Sequence, residues 1–462
     1  MKEISARLGK ERISKLLISL SVPATMGMIV NALYNLVDTI FVGRGVGAIA
    51  IGALTVSFPI QMIIMAFAIM IGMGSASAIS RSLGAKNVER ADNVTGNSFV
   101  SIVFFSSVIA ILGLTFTEPL LRLVGATDTI MPYARDYITI IFYGSVFRSF
   151  AMSTNNLIRA EGNAKVAMIS MIIGAGSNIV LDPIFIFIFK LGVKGAALAT
   201  IIAQFFAFLY IMRYLYSGKS SLKVKFHHLK PRLDIIKEII TVGMASFFRH
   251  ISGGIAGIII NSSLSILGGD IALIVIGILH RVTMFIFMPL FGVVQGMQPI
   301  IGFNYGAKKY ERVKETIKIS ILVTTVMATI GWLFIELFPS LIFNIFTSES
   351  EVIEKGIPVI RIVISMIPVI GIQIVGAALF QSLGKAVPTL ILSLLRQVLL
   401  FIPLVIILPR VFGLGILGIW ISYPIADVLS VILTVFYLKS ELKKINLWFH
   451  GSGVREGLAD SI

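Results

Sequence analysis

The sequence predicts an all-α polytopic membrane protein with twelve transmembrane helices in two six-helix lobes. Of the 462 residues, 56% are hydrophobic and 13% are charged, whereas soluble chains average roughly 45–50% apolar and about 25% charged residues. Continuous apolar runs such as 102–116 and 321–334 exclude a transmembrane β-barrel, whose strands alternate over about ten residues. Helices remain, because every backbone polar group must be satisfied within the lipid.

Twelve apolar segments are long enough to cross the hydrocarbon layer, which takes roughly 20 helical residues. In the printed sequence they cover about 16–42, 47–80, 95–117, 130–158, 164–189, 193–216, 234–265, 271–301, 317–338, 352–381, 386–409 and 414–438. The chain is therefore divided into an N-lobe at 1–216, a basic linker at 217–232, a C-lobe at 233–438 and a C-terminal tail at 439–462.

The basic residues predict the orientation of the chain. Of 39 Lys and Arg residues, 26 fall in the N-terminus, the even-numbered loops and the C-terminus, and 6 fall in the odd-numbered loops. Basic residues accumulate in cytoplasmic loops, so both termini are expected in the cytoplasm and the protein in the plasma membrane of a prokaryote, without a removable signal peptide. This distribution explains the net charge of +16 without a nucleic-acid partner. The linker is interpreted as a topology determinant, with binding of anionic lipid headgroups as the alternative.

An internal repeat relates the two halves. Gly84–Arg90 (GAKNVER) recurs as Gly306–Arg312 (GAKKYER), and Gly162 recurs as Gly384, both at an offset of 222 residues. A third match, of the pattern LGxxG, has an offset of 223. Six spans per repeat give both halves the same topology, and such parallel repeats place the substrate path between two bundles.

Span 1 carries an acid below a stripe of polar side chains. Asp38 follows Asn31, Tyr34 and Asn35 by seven, four and three residues, spacings that share one helical face. Charged side chains inside spans are costly, so each is a candidate functional residue.

Span 5 carries the second acid of the N-lobe. Asn178 precedes Asp182 by four residues and therefore shares its helical face. In span 4, Tyr137 and Asn155 lie on one line because 18 residues make five turns, and Thr200 offers a hydroxyl in span 6. These oxygens suit a hard cation or a shared proton; the alternative is that the polar groups join helices by hydrogen bonds.

Other residues are candidates for a hinge and for the wall of a substrate cavity, and the sequence lacks the motifs of common enzymes. Pro23 can bend span 1, and polarisable methionines with the polar stripe of span 1 are candidates for an adaptable cavity wall. That cavity set is Met26, Met62, Met65, Asn31, Tyr34 and Asn35. With no cysteine and no HExxH or GxSxG pattern, we expect no enzyme activity and no cofactor beyond a coupling ion.

The C-lobe spans contain many basic residues and, by these span limits, a single acid at comparable depth, Asp427. The basic set is Arg249, His250, His280, Arg281, Arg361 and Arg396. Arginine donors favour carboxylate and phosphate groups, so Arg249, His280 and Arg281 in particular predict an anion-attracting wall facing a central cavity. The alternative is an arginine network satisfied by backbone carbonyls, glutamines and water.

Four stretches resemble the multidrug and toxic compound extrusion (MATE) transporters of the DinF-like and MepA-like branch: Tyr34–Pro59, Leu83–Ala91, Ser177–Phe187 and Gly292–Lys314. The resemblance implies a V-shaped monomer in the lipid bilayer that exports amphipathic molecules by alternating access, in antiport with Na⁺ or H⁺. It also implies an N-lobe cation site, with Na⁺ on the first four residues if sodium is the coupling ion, and Pro23 as the hinge of span 1. That site comprises Asp38, Asn178, Asp182, Thr200, Tyr137 and Asn155.

One departure from the family pattern and two alternative functions remain. Some branches carry an acid after two phenylalanines in span 7, where this chain has Arg249 after Phe247 and Phe248; a C-lobe cation site of that kind is therefore not expected. A flippase for lipid-linked saccharides has a related architecture, and a cation channel is the alternative from another class.

Overall fold

The computed structural model describes the backbone of residues 3–459 and the side chains of residues 3–47 and 49–444, and these residues form no β-strand. The first six spans are long helices, the fifth extended by a π-helical turn at Ile184–Ile188. In chain order they are Ile13–Gly45, Ala48–Gly84, Val88–Thr115, Met131–Ala160, Ala164–Pro183 and Gly192–Tyr216. A short helix, Thr117–Leu123, lies between spans 3 and 4.

The second six spans repeat this arrangement with more interruptions. Leu233–Gly306 holds spans 7 and 8, Tyr310–Leu337 is span 9, and Pro339–Phe346 is the counterpart of the short helix in the first half. Span 10 consists of two helices that meet at 44°, Ser350–Ile364 and Ile367–Ser382. Span 11 comprises Ala386–Leu394, a π-helical stretch Leu395–Phe401 and Ile402–Arg410, and span 12 is Gly415–Ala459. The predicted tail thus begins as a continuation of span 12, and residues 460–462 lie outside the described residues.

Spans 7 and 8 are joined by a single residue instead of the loop predicted at 266–270. Gly269 adopts φ 62° and ψ −157° inside Leu233–Gly306, a conformation essentially restricted to glycine. Nine described helices are long and apolar enough to cross a membrane, and the bent pair of span 10 makes a tenth. Twelve spans result because Leu233–Gly306 holds two of them, and because Met131–Ala160 has sufficient length although it carries several charged residues.

The repeat is visible in the backbone. Lys86 and Lys308, which occupy equivalent positions, have φ values of 60° and 57°. A Cβ at Gly84 would lie 1.9 Å from the carbonyl oxygen of Phe303, and a Cβ at Gly306 would lie 2.0 Å from that of Arg81. The offset of 222 converts the first contact into the second, so the two halves meet there across a local twofold axis.

The hydrophobic cores indicate a V-shaped molecule. One buried cluster contains residues of both lobes, among them Leu8, Ile71, Ile300 and Leu379. A second cluster contains only C-lobe residues, and a third contains only residues between 42 and 197. The lobes therefore share a core at one end, which we name the N-terminal end because it includes Leu8, and they have separate cores at the opposite end.

The linker at 217–232 packs against the N-lobe at the N-terminal end. The Ser221 N–H donates to Glu161 Oε2 at 2.6 Å, the Lys223 N–H to Asp92 Oδ1 at 2.7 Å, and the Arg232 N–H to Asn97 Oδ1 at 2.7 Å. Three N-lobe side chains thus accept hydrogen bonds from linker N–H groups that have no partner within a regular helix or strand.

Candidate functional site

Two carboxyl groups meet in the N-lobe between spans 1 and 5. Asp38 and Asp182 are 7% and 0% exposed, and each carboxyl is close enough to influence the other electrostatically. Asn178 Nδ2 donates to Asp182 Oδ1 at 3.2 Å, and the same amide lies 3.4 Å from Thr200 Oγ1. Spans 1, 5 and 6 therefore build one group of side chains, here called the oxygen cluster: Asp38, Asn178, Asp182 and Thr200.

The oxygen cluster is rich in acceptors and poor in donors. Asp38 Oδ1, Asp182 Oδ2 and Asn178 Oδ1 are buried and have no hydrogen-bond partner in the described residues. Buried carboxylates need a proton, a cation or a basic group to neutralise them. Carboxylate, amide and hydroxyl oxygens are ligands suited to a hard cation, so these residues fit either Na⁺ or a shared proton as the transported ion.

Tyr34 and Tyr137 adjoin the oxygen cluster and are buried. Tyr137 lies beside Gln61, whose Oε1 accepts from Arg148 Nη1 at 2.6 Å. The sequence interpretation did not consider Gln61 or Arg148. Arg148 lies inside predicted span 4, and a basic side chain within a span is the signal that would have identified it.

Asn155 does not join the oxygen cluster. Span 4 is an uninterrupted helix from Met131 to Ala160, so 18 residues separate Asn155 from Tyr137 by about 27 Å along its axis. Alignment on one face was a correct deduction from the spacing, but it gave no information about depth. Asn155 is buried and its Oδ1 has no partner in the described residues.

The polar stripe of span 1 divides into buried and exposed residues. Tyr34 and Asp38 are buried, whereas Asn31 and Asn35 are exposed and the Asn35 amide donates to the Asn31 carbonyl at 2.7 Å. The difference arises because Asn35 lies about 100° around the helix from Tyr34. The methionine candidates are exposed at Met26 and partly buried at Met62 and Met65, and Pro23 lies within the continuous helix of span 1.

The C-lobe carries less unbalanced positive charge than predicted. Arg361 Nε lies 3.1 Å from Glu336 Oε1, and Arg396 Nε donates to Asp427 Oδ1. Glu336 sits near the end of span 9 and was not counted as an acid at comparable depth, which made the predicted excess too large.

The remaining basic residues of that set differ in their burial. Arg249 is partly buried beside Ser246, at 3.4 Å, while His280 and Arg281 are exposed. No acid pairs with Arg249 or Arg281 among the side chains of 3–47 and 49–444.

Two repeated six-span lobes, joined at one end and separate at the other, define the architecture of a secondary transporter. The buried pair of acids in one lobe fits this class, because intramembrane carboxyl groups mark ion pathways. The chain belongs to the MATE family: the MatE family model matches residues 23–184 and 246–407, once in each lobe.

Curated relatives and solved structures agree with this family membership. The chain is 27% identical to the "Multidrug export protein MepA" of Staphylococcus haemolyticus over 93% of its own length and 94% of that protein. A crystal structure titled MATE in the bent conformation superimposes with a TM-score of 0.91 at 28% identity, covering 96% of this chain and 99% of that one. A crystal structure of MATE in the straight conformation gives 0.90 at 29% identity, with the same coverage.

Proposed function

We propose that this protein is a secondary active exporter that exchanges amphipathic small molecules for Na⁺ or H⁺ by alternating access between its two lobes. The observation that carries the proposal is the oxygen cluster, in which three buried acceptor oxygens find no donor among the described residues. A cation or proton arriving there removes the repulsion between Asp38 and Asp182 and so changes how spans 1 and 5 pack. The curated relatives, named multidrug export proteins, favour drug export over a lipid-linked saccharide flippase.

We infer the direction of transport from the basic residues. Because Lys and Arg are concentrated at the N-terminal end, that end faces the cytoplasm. The protein is proposed to lie in the plasma membrane as a monomer. The lobes are joined there and separate at the opposite end, so the present conformation is open to the outside. Pro23 serves as the hinge of span 1, because it lies inside the helix Ile13–Gly45 and a proline within a helix is a physical cause of bending.

The coupling role predicts that Asp38→Asn and Asp182→Asn each abolish cation-driven efflux while the protein still folds. Removing one of two like charges from a buried site relieves a desolvation cost and does not create one. Efflux of a fluorescent amphipathic cation from proteoliposomes is measured under separately imposed Na⁺ and pH gradients, which also identifies the ion.

Asp136→Asn is the matched control, because Asp136 is an exposed N-lobe aspartate paired with Lys194 at 3.3 Å and should transport normally. Wild-type efflux by either cluster variant would exclude that residue from coupling. Currents without substrate exchange in the wild type would instead indicate a channel.

A further inference from the structure

The C-lobe contains a cavity of about 150 Å³ lined by residues of spans 7, 8, 10, 11 and 12. Its apolar lining includes the rings of Phe287 and Phe401. Its polar lining consists of His280, Thr283, Arg396, Gln397, Tyr423 and Asp427. A cavity of this size holds a benzene-sized body.

An ion pair forms one wall of the cavity. Asp427 is 1% exposed and accepts from Arg396 Nε, while the Arg396 side chain is 30% exposed. Arg396 lies in the π-helical stretch Leu395–Phe401, a local widening that frequently occurs at functional sites. Its guanidinium lies 6.0 Å from the centre of the Phe287 ring.

The internal repeat relates part of this cavity to the oxygen cluster. The offset of 222 takes Asp38 to Ile260, and the local offset of 223 takes Thr200 to Tyr423. Both Ile260 and Tyr423 line the cavity. The N-lobe site therefore contains acidic side chains that suit a cation, whereas the C-lobe cavity contains a basic side chain, Arg396.

The donors in this cavity exceed the acceptors. Beyond its bond to Asp427, the Arg396 guanidinium has no acceptor in the described residues, and the buried hydroxyl of Tyr423 also has no partner there. A guanidinium presents up to five N–H donors in a plane that matches the oxygens of a carboxylate or sulfonate. Aromatic walls and a polar corner together describe a small ligand with an apolar body and one anionic group.

We propose that the C-lobe cavity binds a small organic anion, a carboxylate or sulfonate on a compact aromatic or branched body, through Arg396 and the Tyr423 hydroxyl. Asp427 is the internal competitor, because it holds the same guanidinium when the ligand is absent. This site is separate from the oxygen cluster and does not depend on which cation drives export.

The test uses benzenesulfonate, which stays ionised at all working pH values, and isothermal titration calorimetry on the full chain in nanodiscs. Wild type should bind benzenesulfonate and not the uncharged benzenesulfonamide. Asp427→Asn should bind it at least about ten-fold more tightly, the scale of one charge-assisted hydrogen bond. Arg396→Gln should lose binding, and Tyr423→Phe should weaken it. Arg410→Gln, an exposed arginine of the same span, should match wild type.

Folding and coupling are tested separately from binding. Asp427→Asn leaves a partly buried guanidinium unpaired, so the double variant Arg396→Gln/Asp427→Asn, which restores neutrality, should fold as wild type and fail to bind. Asp38→Asn should bind benzenesulfonate normally even though its cation-driven efflux is lost. Equal binding of the sulfonate and the sulfonamide by wild type, or retained binding by Arg396→Gln, would overturn the proposal.

Discussion

Three buried acids of the N-lobe differ in their hydrogen-bond donors. Asp38 and Asp182 lie in the oxygen cluster, and Glu161 lies at the end of span 4. Asp38 and Asp182 each have an acceptor oxygen without a partner in the part of the chain that the structure describes, whereas Glu161 is fully buried and its carboxyl oxygens are surrounded by donors. Tyr214 Oη, Ser220 Oγ and the Ser221 N–H donate to Glu161 at 2.6, 2.8 and 2.6 Å. A carboxylate that is satisfied by the protein has no need of an external ion, so Glu161 is structural.

Glu161→Ala should therefore destabilise the fold, by about 1–3 kcal/mol for each buried donor left unpaired. Glu161→Gln should cost less, because one amide oxygen still accepts from the linker. The midpoint of thermal unfolding, followed by tryptophan fluorescence in detergent, measures both. Glu351→Ala is the control, since Glu351 forms an exposed pair with Lys355 and such pairs contribute little. An Ala variant as stable as this control would contradict the assignment.

The pH dependence at Glu161 has a definite sign. Burial raises the pKa of the Glu161 carboxyl, and hydrogen bonds from Tyr214, Ser220 and the linker backbone offset only part of this effect. A folded-state pKa above the unfolded value means that stability falls as the pH rises through the folded pKa. Glutamine has no such titration, so the cost of Glu161→Gln should shrink as the pH rises above the ordinary carboxyl value of about 4.3.

At the scale of single elements, helical periodicity predicted which residues of one span are neighbours, but it did not predict their burial or their depth in the membrane. Asn178 and Asp182 interact because four residues make about one turn, a contact that lies within one helix. The proximity of Asp38 to Asp182 depends on the packing of span 1 against span 5. Residue spacing within either span gives no information about that packing. Asn155 was misplaced because alignment on a face leaves the axial coordinate free.

Other element-scale features depend on local conformation that the sequence indicates only weakly. Gly269 gives no signal that distinguishes a sharp break from a loop of several residues. The linker was recognised by its charge, yet its docking depends on backbone N–H groups, which every sequence has. The fold class, by contrast, follows from run length and the repeat, which report directly on solvent and topology.

Pro23→Ala should slow turnover several-fold without abolishing cation binding. Proline removes the hydrogen bond from its own nitrogen to the carbonyl of Ser19, and alanine restores it and stiffens span 1. Initial efflux rates from proteoliposomes and radioactive sodium binding, or proton uptake, separate motion from coupling. Pro59→Ala changes a proline inside span 2 and serves as the control. A transport rate of Pro23→Ala equal to that of wild type at every pH would contradict the assignment of Pro23 as the hinge.

On the scale of the whole molecule, close backbone contacts hold the lobes together at the N-terminal end. A Cβ at Gly243 of span 7 would lie 2.0 Å from the carbonyl oxygen of Met70 in span 2. Glu238 adds an ionic contact, with Arg81 and Arg90 of the N-lobe each 2.7 Å from its carboxylate. Opening the N-terminal end must break all of these contacts at once. They therefore act cooperatively to stabilise the conformation that is closed at this end.

Gly243→Ala should shift the protein towards forms that are open at the N-terminal end. Overpacking of this kind costs about 1–3 kcal/mol, which corresponds to a change in population of about 5- to 150-fold. Because the chain has no cysteine, spin labels at Ala85→Cys and Lys308→Cys report the distance between lobes by pulsed electron resonance. Gly253→Ala on the same helix meets no atom within 4 Å and should leave the distance distribution unchanged. An identical distribution in Gly243→Ala would contradict this account.

The reciprocal approach of Gly84 to Phe303 and of Gly306 to Arg81 has a consequence for the history of the chain. Contacts that map onto themselves under a twofold axis are those of a homodimer. In an unfused pair of identical six-span subunits, one codon change at that glycine would damage both sides of the interface at once. Once two copies share a reading frame, each side mutates alone. Position 38 is then free to carry aspartate while position 260 carries isoleucine, and one ancestral pocket can specialise into two.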